Sequence, residues 1–249
     1  MSIKKRIALV VDSSGSIRER GLTERIRMGV NEHLEVARRD AGQGYDTRVW
    51  ITTFADVPVS RASGTDPRSL KNLDEVSYQP AGSTALQDAI GFTIDQMKKD
   101  THDESDVSYL VVILTDGEEN CSVNYQGKIG LDRLKAKVQE CNATLRWSFV
   151  FIGTEGLDAF ATNLAIPAGN VLMYQPTAQG TDRMFRSAVY CMSSSIAQMN
   201  VGGQMNAVNY FADAGKVNDL TGGTAPIAST SAAPGTLWQL TTPSAAANP

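Results

Sequence analysis

The chain has 249 residues, a mass of 26.8 kDa and 42% hydrophobic residues, enough for one sizeable α/β core or for a core with an appendage. Its formal net charge is −4 and its 23 basic residues are scattered, which argues against nucleic acid as a partner. No apolar run approaches the roughly 20 residues that span a bilayer, so we expect a soluble protein without a membrane partner.

Short apolar runs rich in β-branched residues recur along the chain and predict the strands of a buried, mostly parallel sheet. In chain order these runs are residues 7–11, 48–54, 110–114, 148–152 and 171–174. The first follows a basic N-terminus but is too short for the apolar core of a signal peptide, which favours a cytoplasmic protein. Residues 57–60 fit a short antiparallel edge strand after a tight turn.

Between these runs, apolar residues recur at helical spacing over residues 22–37, 86–97 and 131–141, and a further helix is expected over 182–199. Strands that alternate with helices are typical of an α/β fold in which a doubly wound, mostly parallel central sheet is flanked by helices. This pattern predicts one domain over residues 1–198.

The composition changes near residue 199, where glycine, alanine, threonine, serine and proline become frequent. No charged residue follows Asp219, and large apolar side chains are too few to offset the entropy of ordering such a segment. We therefore predict that residues 199–249 form an extended C-terminal tail or docking arm. Within it, Trp238 is a lone aromatic anchor that either docks on a partner or folds back on the domain.

Five polar side chains lie in three loops, each at the end of a predicted strand or at the start of a predicted helix. Asp12, Ser14 and Ser16 come directly after the first strand, Thr84 stands where a helix opens, and Asp116 follows another strand. Open α/β sheets bind ligands at the carboxyl ends of their strands. The three loops are therefore predicted to converge on one point, although Asp12 and Thr84 could instead serve only as helix caps.

The oxygens of this set are two carboxylates and three hydroxyls, which are hard ligands that select Mg²⁺, Mn²⁺ or Ca²⁺ over zinc or copper. The two histidines, His33 and His102, lie elsewhere in the sequence and are expected to be ordinary surface or half-buried residues. Because several of the ligands are neutral, the bound ion keeps much of its positive charge. It would accept a carboxylate from outside as a further ligand.

The motif resembles the metal-ion-dependent adhesion site of the von Willebrand factor A family, and the resemblance covers roughly residues 5–195. It implies that Asp12, Ser14, Ser16, Thr84 and Asp116 hold the metal, with the aspartates bound directly or through water. It also implies a non-enzymatic module that binds the Asp or Glu of a partner protein through Mg²⁺. The strings at residues 115–120 and 147–153 are similar to compact bacterial and phage-encoded members.

Two alternatives remain open. The chain could be a structural subunit of a large assembly such as a phage particle, and hence part of a virion, with residues 200–249 contacting neighbouring subunits. It could also be a Mg²⁺-dependent phosphohydrolase with Asp12 as nucleophile, but Ser14 stands where a second acid is expected. A phosphate-binding lysine would have to come from Lys128 or Lys135.

Two groups of side chains outside the motif carry weaker expectations. Glu118 and Glu119, next to Asp116, are interpreted as solvated loop charges. The cysteines lie far apart without the spacing of zinc or redox sites, which favours free thiols and fits a reducing compartment. They are Cys121, Cys141 and Cys191.

Overall fold

The structure is a computed structural model that describes residues 3–102, 104–201, 206–212 and 214. Six strands form one sheet in the order β3–β2–β1–β4–β5–β6, and every neighbouring pair is parallel except the antiparallel pair of β2 and β3. The strands are β1 (Lys4–Asp12), β2 (Thr47–Phe54), β3 (Pro58–Thr65), β4 (Val107–Leu114), β5 (Trp147–Thr154) and β6 (Val171–Tyr174).

Helices cover both faces of the sheet. The helices are α1 (Gly15–Glu19), α2 (Thr23–Gly42), α3 (Leu86–Asp100), α4 (Gly127–Ala143), α5 (Asp158–Asn163) and α6 (Ala178–Asn200). Side chains of α1, α2 and α6 belong to one buried apolar cluster and those of α3, α4 and α5 to the other. Among the described residues, no helix combines the length and the apolar character needed to cross a bilayer.

The central strand β1 is buried on both faces, and its apolar residues form an unbroken run over residues 7–11. Leu9 and Val11 face the cluster under α2, whereas Ala8 and Val10 face the cluster under α3. Since β2 and β4 pair with β1 on opposite sides, the chain changes winding direction at β1. Asp12, the last residue of β1, therefore lies at the crevice where such sheets bind ligands.

The α/β fold and the doubly wound sheet predicted from the periodicity are confirmed. The strands β1, β2, β4 and β5 extend their predicted runs, β6 has the predicted bounds, and β3 is longer than the predicted edge strand. The short helices α1 and α5 were not predicted, because five or six residues are too few to show a helical period. None of the three cysteines forms a disulfide, and Cys141 and Cys191 are buried while Cys121 is half-buried.

Part of the predicted tail lies against the domain. Ala207 donates its backbone N–H to Ser148 Oγ at 2.7 Å, and Asn170 Oδ1 accepts the N–H of Tyr210 at 2.8 Å. The rings of Tyr210 and Phe211 are buried in the cluster under α2 and α6. The division at residues 198 and 199 stays a prediction, and most of the tail, including Trp238, lies outside the described residues.

His33 is fully buried in α2, rather than at or near the surface as expected from the sequence. Its Nδ1 lies 2.8 Å from the carbonyl oxygen of Gly29, and its Nε2 has no hydrogen-bond partner among the described residues. Burial lowers the pKa of His33, although the bond to Gly29 opposes this effect. The imidazole is therefore neutral in the folded protein near pH 7.

We expect acid to destabilise the protein through His33. The pKa of His33 is lower in the folded than in the unfolded chain, so its contribution to stability is complete above pH 6.5 and is lost as the pH falls below that value. Thermal melts at pH 7 and pH 5 should show that His33→Leu loses less stability on acidification than the unchanged protein. Equal losses in the two proteins would contradict the prediction.

Candidate metal centre

Three loops meet at the carboxyl edge of the sheet, where β1, β2 and β4 end. Backbone hydrogen bonds join the first two loops, since Gly15 donates to the carbonyl oxygen of Gly82 at 3.0 Å and Ala81 donates to that of Ser13 at 2.8 Å. Gly82 has φ of +83°, a conformation that glycine adopts without steric cost. The backbone itself therefore holds the motif after β1 against the loop that precedes α3.

The hydroxyls of the first loop connect to the carboxylate of the third. Ser14 Oγ lies 3.0 Å from Ser16 Oγ, and Ser16 Oγ donates to Asp116 Oδ1 at 2.7 Å. The Asp116 side chain is 0% exposed. Three of the five predicted site residues thus form one continuous chain of hydrogen bonds.

Asp12 is oriented by two donors. The backbone N–H of Ser14 donates to Oδ1 at 2.7 Å, and Thr115 Oγ1 donates to Oδ2 at 2.6 Å. Burial raises the pKa of Asp12 to about 6, the bonds from Thr115 and Ser14 oppose this, and the charge of Asp116 adds to it. Ionised Asp12 is therefore a costly buried charge that a cation would stabilise. Thr115 had no predicted role, because a lone threonine before an aspartate carries no specific signal.

Thr84 reaches the same place from the start of α3. Asn120 holds it, accepting the N–H of Thr84 at 2.8 Å and donating its own backbone N–H to the Thr84 carbonyl oxygen at 3.0 Å. A methyl group built on Gly117 would lie 3.7 Å from Thr84 Oγ1 and 3.8 Å from Ser16 Oγ. The two hydroxyls thus border one small space beside Gly117. The structure brings all five predicted residues to one edge of the sheet, and their role as ligands remains a prediction.

The donors around this space fit a hard divalent cation. They are carboxylate and hydroxyl oxygens, which Mg²⁺ and Ca²⁺ prefer over imidazole or thiolate ligands. Within the described ranges, no three histidine, cysteine, aspartate or glutamate side chains cluster so as to hold a metal. A metal at this edge would therefore depend on the serine and threonine hydroxyls as much as on the two aspartates.

Arg20 contacts the site, which the sequence did not indicate. Its Nη1 donates to Asp116 Oδ2 and to the Asp116 carbonyl oxygen, each at 2.7 Å. The Arg20 side chain is 41% exposed although its partner is fully buried. The unpredicted helix α1 directs this side chain, since Arg20 is the residue at its C-terminal end.

Two tyrosines lie beneath the carboxylates. The Tyr78 hydroxyl donates to the backbone carbonyl oxygen of Asp12 at 2.5 Å. The Tyr174 hydroxyl is buried without a hydrogen-bond partner in the described part of the chain, and burial and the nearby Asp116 and Asp12 charges raise its pKa. These rings give the carboxylates a weakly polar environment, which explains why ionisation of Asp12 is disfavoured.

Glu119 is a structural residue and not the solvated charge that its position suggested. It accepts the backbone N–H of Gln87 at 2.8 Å and that of Cys121 at 3.0 Å, and Ser122 Oγ donates to it at 2.7 Å. It thereby caps the start of α3 from a loop more than thirty residues away. Its neighbour Glu118 is exposed.

Comparison with known families and structures identifies the fold. The model of the von Willebrand factor type A domain matches residues 7–164, which is more than half of the chain. No curated protein matches the sequence.

Several solved structures share the fold at low sequence identity. The von Willebrand factor domain of the type V pili tip protein Mfa5 from Porphyromonas gingivalis aligns with a TM-score of 0.55 and 8% identity over 82% of this chain and 97% of that one. Proximal thread matrix protein 1 from the mussel byssus, solved with a zinc-occupied adhesion motif, aligns with a TM-score of 0.52 and 18% identity over 78% of this chain.

A von Willebrand factor type A protein from Catenulispora acidiphila aligns with a TM-score of 0.51 and 13% identity over 77% of this chain. This chain spans only 46% of the mussel protein and 43% of the Catenulispora protein. At such identities the structures establish the fold alone. The match over residues 7–164 shows that the chain belongs to the von Willebrand factor type A domain family.

Proposed function

We propose that the protein is a non-enzymatic interaction module that holds one Mg²⁺ ion at its sheet edge and uses it to bind a carboxylate of a partner protein. The ion would be held by the five residues Asp12, Ser14, Ser16, Thr84 and Asp116. The observation that carries the proposal is the meeting of three loops at one edge, where the Ser16 and Thr84 hydroxyls border one space and Ser16 bonds to the Asp116 carboxylate.

The charges of the site suit this role. The carboxylates of Asp12 and Asp116 balance a divalent ion, while the neutral hydroxyls leave it able to attract a further anionic ligand. Mn²⁺ and Ca²⁺ share the preference for oxygen and are alternative occupants. When bound, the ion supplies a positive centre that accepts an oxygen from outside, and the hydrogen bonds to Asp12 fix the orientation of one of its ligands.

The alternatives have less support. For a phosphohydrolase, a lysine should face the site, yet Lys128 is 88% exposed and pairs with Asp132. Among the described residues, the cation that contacts Asp116 is Arg20, and its guanidinium is already bonded to that carboxylate. A role as an assembly subunit depends on residues 200–249, most of which lie outside the described ranges.

Calorimetric titration of chelator-stripped protein with Mg²⁺ and with Mn²⁺ tests the metal site. One ion per chain should bind, and Thr84→Val should weaken binding at least about ten-fold, because it removes a ligand hydroxyl and keeps the side-chain shape. Ser83→Ala, a change in the same loop outside the predicted ligand set, is the control and should bind normally. Failure of the unchanged protein to bind either ion, or normal binding by Thr84→Val, would contradict the proposal.

Peptide display tests the choice of partner. Peptides selected on the unchanged protein in Mg²⁺ should be enriched in Asp or Glu, and they should dissociate when chelator is added. The same peptides should not bind Thr84→Val. Selection of peptides without acidic residues, or binding that survives chelator, would argue against a metal-bridged carboxylate.

A further inference from the structure

We infer that Arg20 is a resident cation of this site, which neutralises Asp116 and competes with a divalent metal for it. The competition between Arg20 and a metal rests on the proposed function, whereas the pairing of Arg20 with Asp116 rests on their contacts alone. The inference begins with the Asp116 side chain, whose 0% exposure means that its charge must be compensated inside the protein.

Each oxygen of Asp116 has a donor. Oδ1 accepts from Ser16, Oδ2 accepts from Arg20, and the backbone carbonyl oxygen accepts from both Arg20 and Thr154 Oγ1, the latter at 3.2 Å. Arg20 is the donor that carries a charge, and one of its nitrogens bonds to both the side chain and the backbone of Asp116. Such a charge-assisted contact is stronger than a neutral hydrogen bond.

The charges at this edge determine how Arg20 and a divalent ion compete for Asp116. Asp12 and Asp116 are both buried at this edge, and in the described part of the chain the cation bonded to Asp116 is Arg20. A divalent ion that took Asp116 as a ligand would share that carboxylate with Arg20 and would be repelled by the guanidinium. Arg20 therefore weakens metal binding, and it leaves the loaded site one unit more positive for an anionic partner.

Arg18 provides a matched control. It lies on the same five-residue helix α1, two positions before Arg20, and its side chain is exposed. No hydrogen bond or ion pair joins it to another described side chain, so its removal changes the net charge of the protein by the same amount without disturbing Asp116. A difference between variants at the two positions therefore reports the contact and not the overall charge.

The first measurement is a Mn²⁺ titration of the chelator-stripped full-length protein and its variants. Arg20→Met should bind Mn²⁺ about ten-fold more tightly than the unchanged protein, because a nearby like charge and a competitor are removed. Arg18→Met should bind as the unchanged protein does. Arg20→Gln, which removes the charge but keeps a donor for Asp116, should also bind more tightly and carries the test if Arg20→Met does not fold.

The second measurement is the melting temperature in chelator. Arg20→Met should melt at least about 3 °C below Arg18→Met, because it leaves a buried carboxylate without its cation. Saturating Mn²⁺ should restore the melting temperature of Arg20→Met by supplying the missing positive charge.

The outcomes distinguish the proposed metal site from the competition between Arg20 and the metal. Folded Arg20 variants that bind Mn²⁺ no more tightly than the unchanged protein would overturn the competition while leaving the metal site intact. Absence of Mn²⁺ binding in the unchanged protein and in every variant would overturn the proposed function and the competition together. The melts in chelator still test the pairing in that case, and equal melting of Arg20→Met and Arg18→Met would overturn it.

Discussion

Asp12→Asn is expected to abolish binding of Mg²⁺ and Mn²⁺ and yet to melt at a higher temperature than the unchanged protein when chelator is present. The amide cannot supply the anionic oxygen that a hard cation requires. Its shape and hydrogen bonds are nevertheless retained, since the amide oxygen still accepts from Ser14. Thr115 can accept from the amide N–H, because its hydroxyl hydrogen, which points to Asp12 in the unchanged protein, can turn to the carbonyl oxygen of Gly117 at 3.0 Å.

The gain in stability follows from the pKa of Asp12, which burial raises from 3.8 to about 6. Because the folded pKa is the higher one, ionisation of Asp12 destabilises the folded protein in full above pH 6, and this penalty vanishes as the pH falls below 3.8. Removing the charge should therefore raise the free energy of unfolding at pH 7 by about 3 kcal/mol.

Thermal melts between pH 7 and pH 4, together with calorimetry, check both parts of this prediction. The advantage of Asp12→Asn should shrink as the pH falls, because the unchanged protein then buries a neutral carboxyl group. Retained metal binding would show that Asp12 is not a ligand. An advantage that is absent at every pH would show that its charge is well compensated in the folded protein.

Gly29→Ala is expected to destabilise the domain by about 3 kcal/mol or to prevent folding, since it forces an overlap in the core. The added methyl group would lie 2.1 Å from the ring of Phe185, which packs from α6 against this position of α2. That ring is itself 5% exposed, so it cannot turn out into solvent without disturbing the core around it.

The control is the same substitution at the end of the same helix. A methyl group on Gly42 meets nothing within 4 Å, so Gly42→Ala should stabilise the protein by about 0.5–1 kcal/mol through the better helix propensity of alanine. Urea unfolding of both variants measures the two effects. Similar midpoints for Gly29→Ala and the unchanged protein would mean that α2 and α6 are packed less tightly than the contact indicates.

The sheet could be predicted from the sequence because burial on both faces leaves near-continuous apolar runs such as those of β1 and β4. The convergence of the site loops could be predicted because the carboxyl ends of parallel strands share one edge. The place of Arg20 could not be predicted, since it depends on the direction of a five-residue helix that has no periodic signal.

Two other features could not be predicted from the sequence, for related reasons. Glu119 looks like a loop charge because its partner Gln87 is far away in the sequence and offers a backbone N–H, which every residue but proline has. Tyr210 and Phe211 are two aromatic residues in a stretch of small and polar ones, so their burial depends on a groove that other elements create. Such contacts become visible only once the tertiary structure is known.

Asp12 and Ala207 lie at opposite ends of the sheet, and this placement determines how the fold would respond to a pulling force. Asp12 lies where the strands end, whereas Ala207 is bonded to Ser148, near the start of β5. A pulling force applied between these two ends would run along the strand axes. The bonds that join β1 to β4 and β4 to β5 would then be loaded in shear and would share the load, instead of opening one after another as in a peeled hairpin.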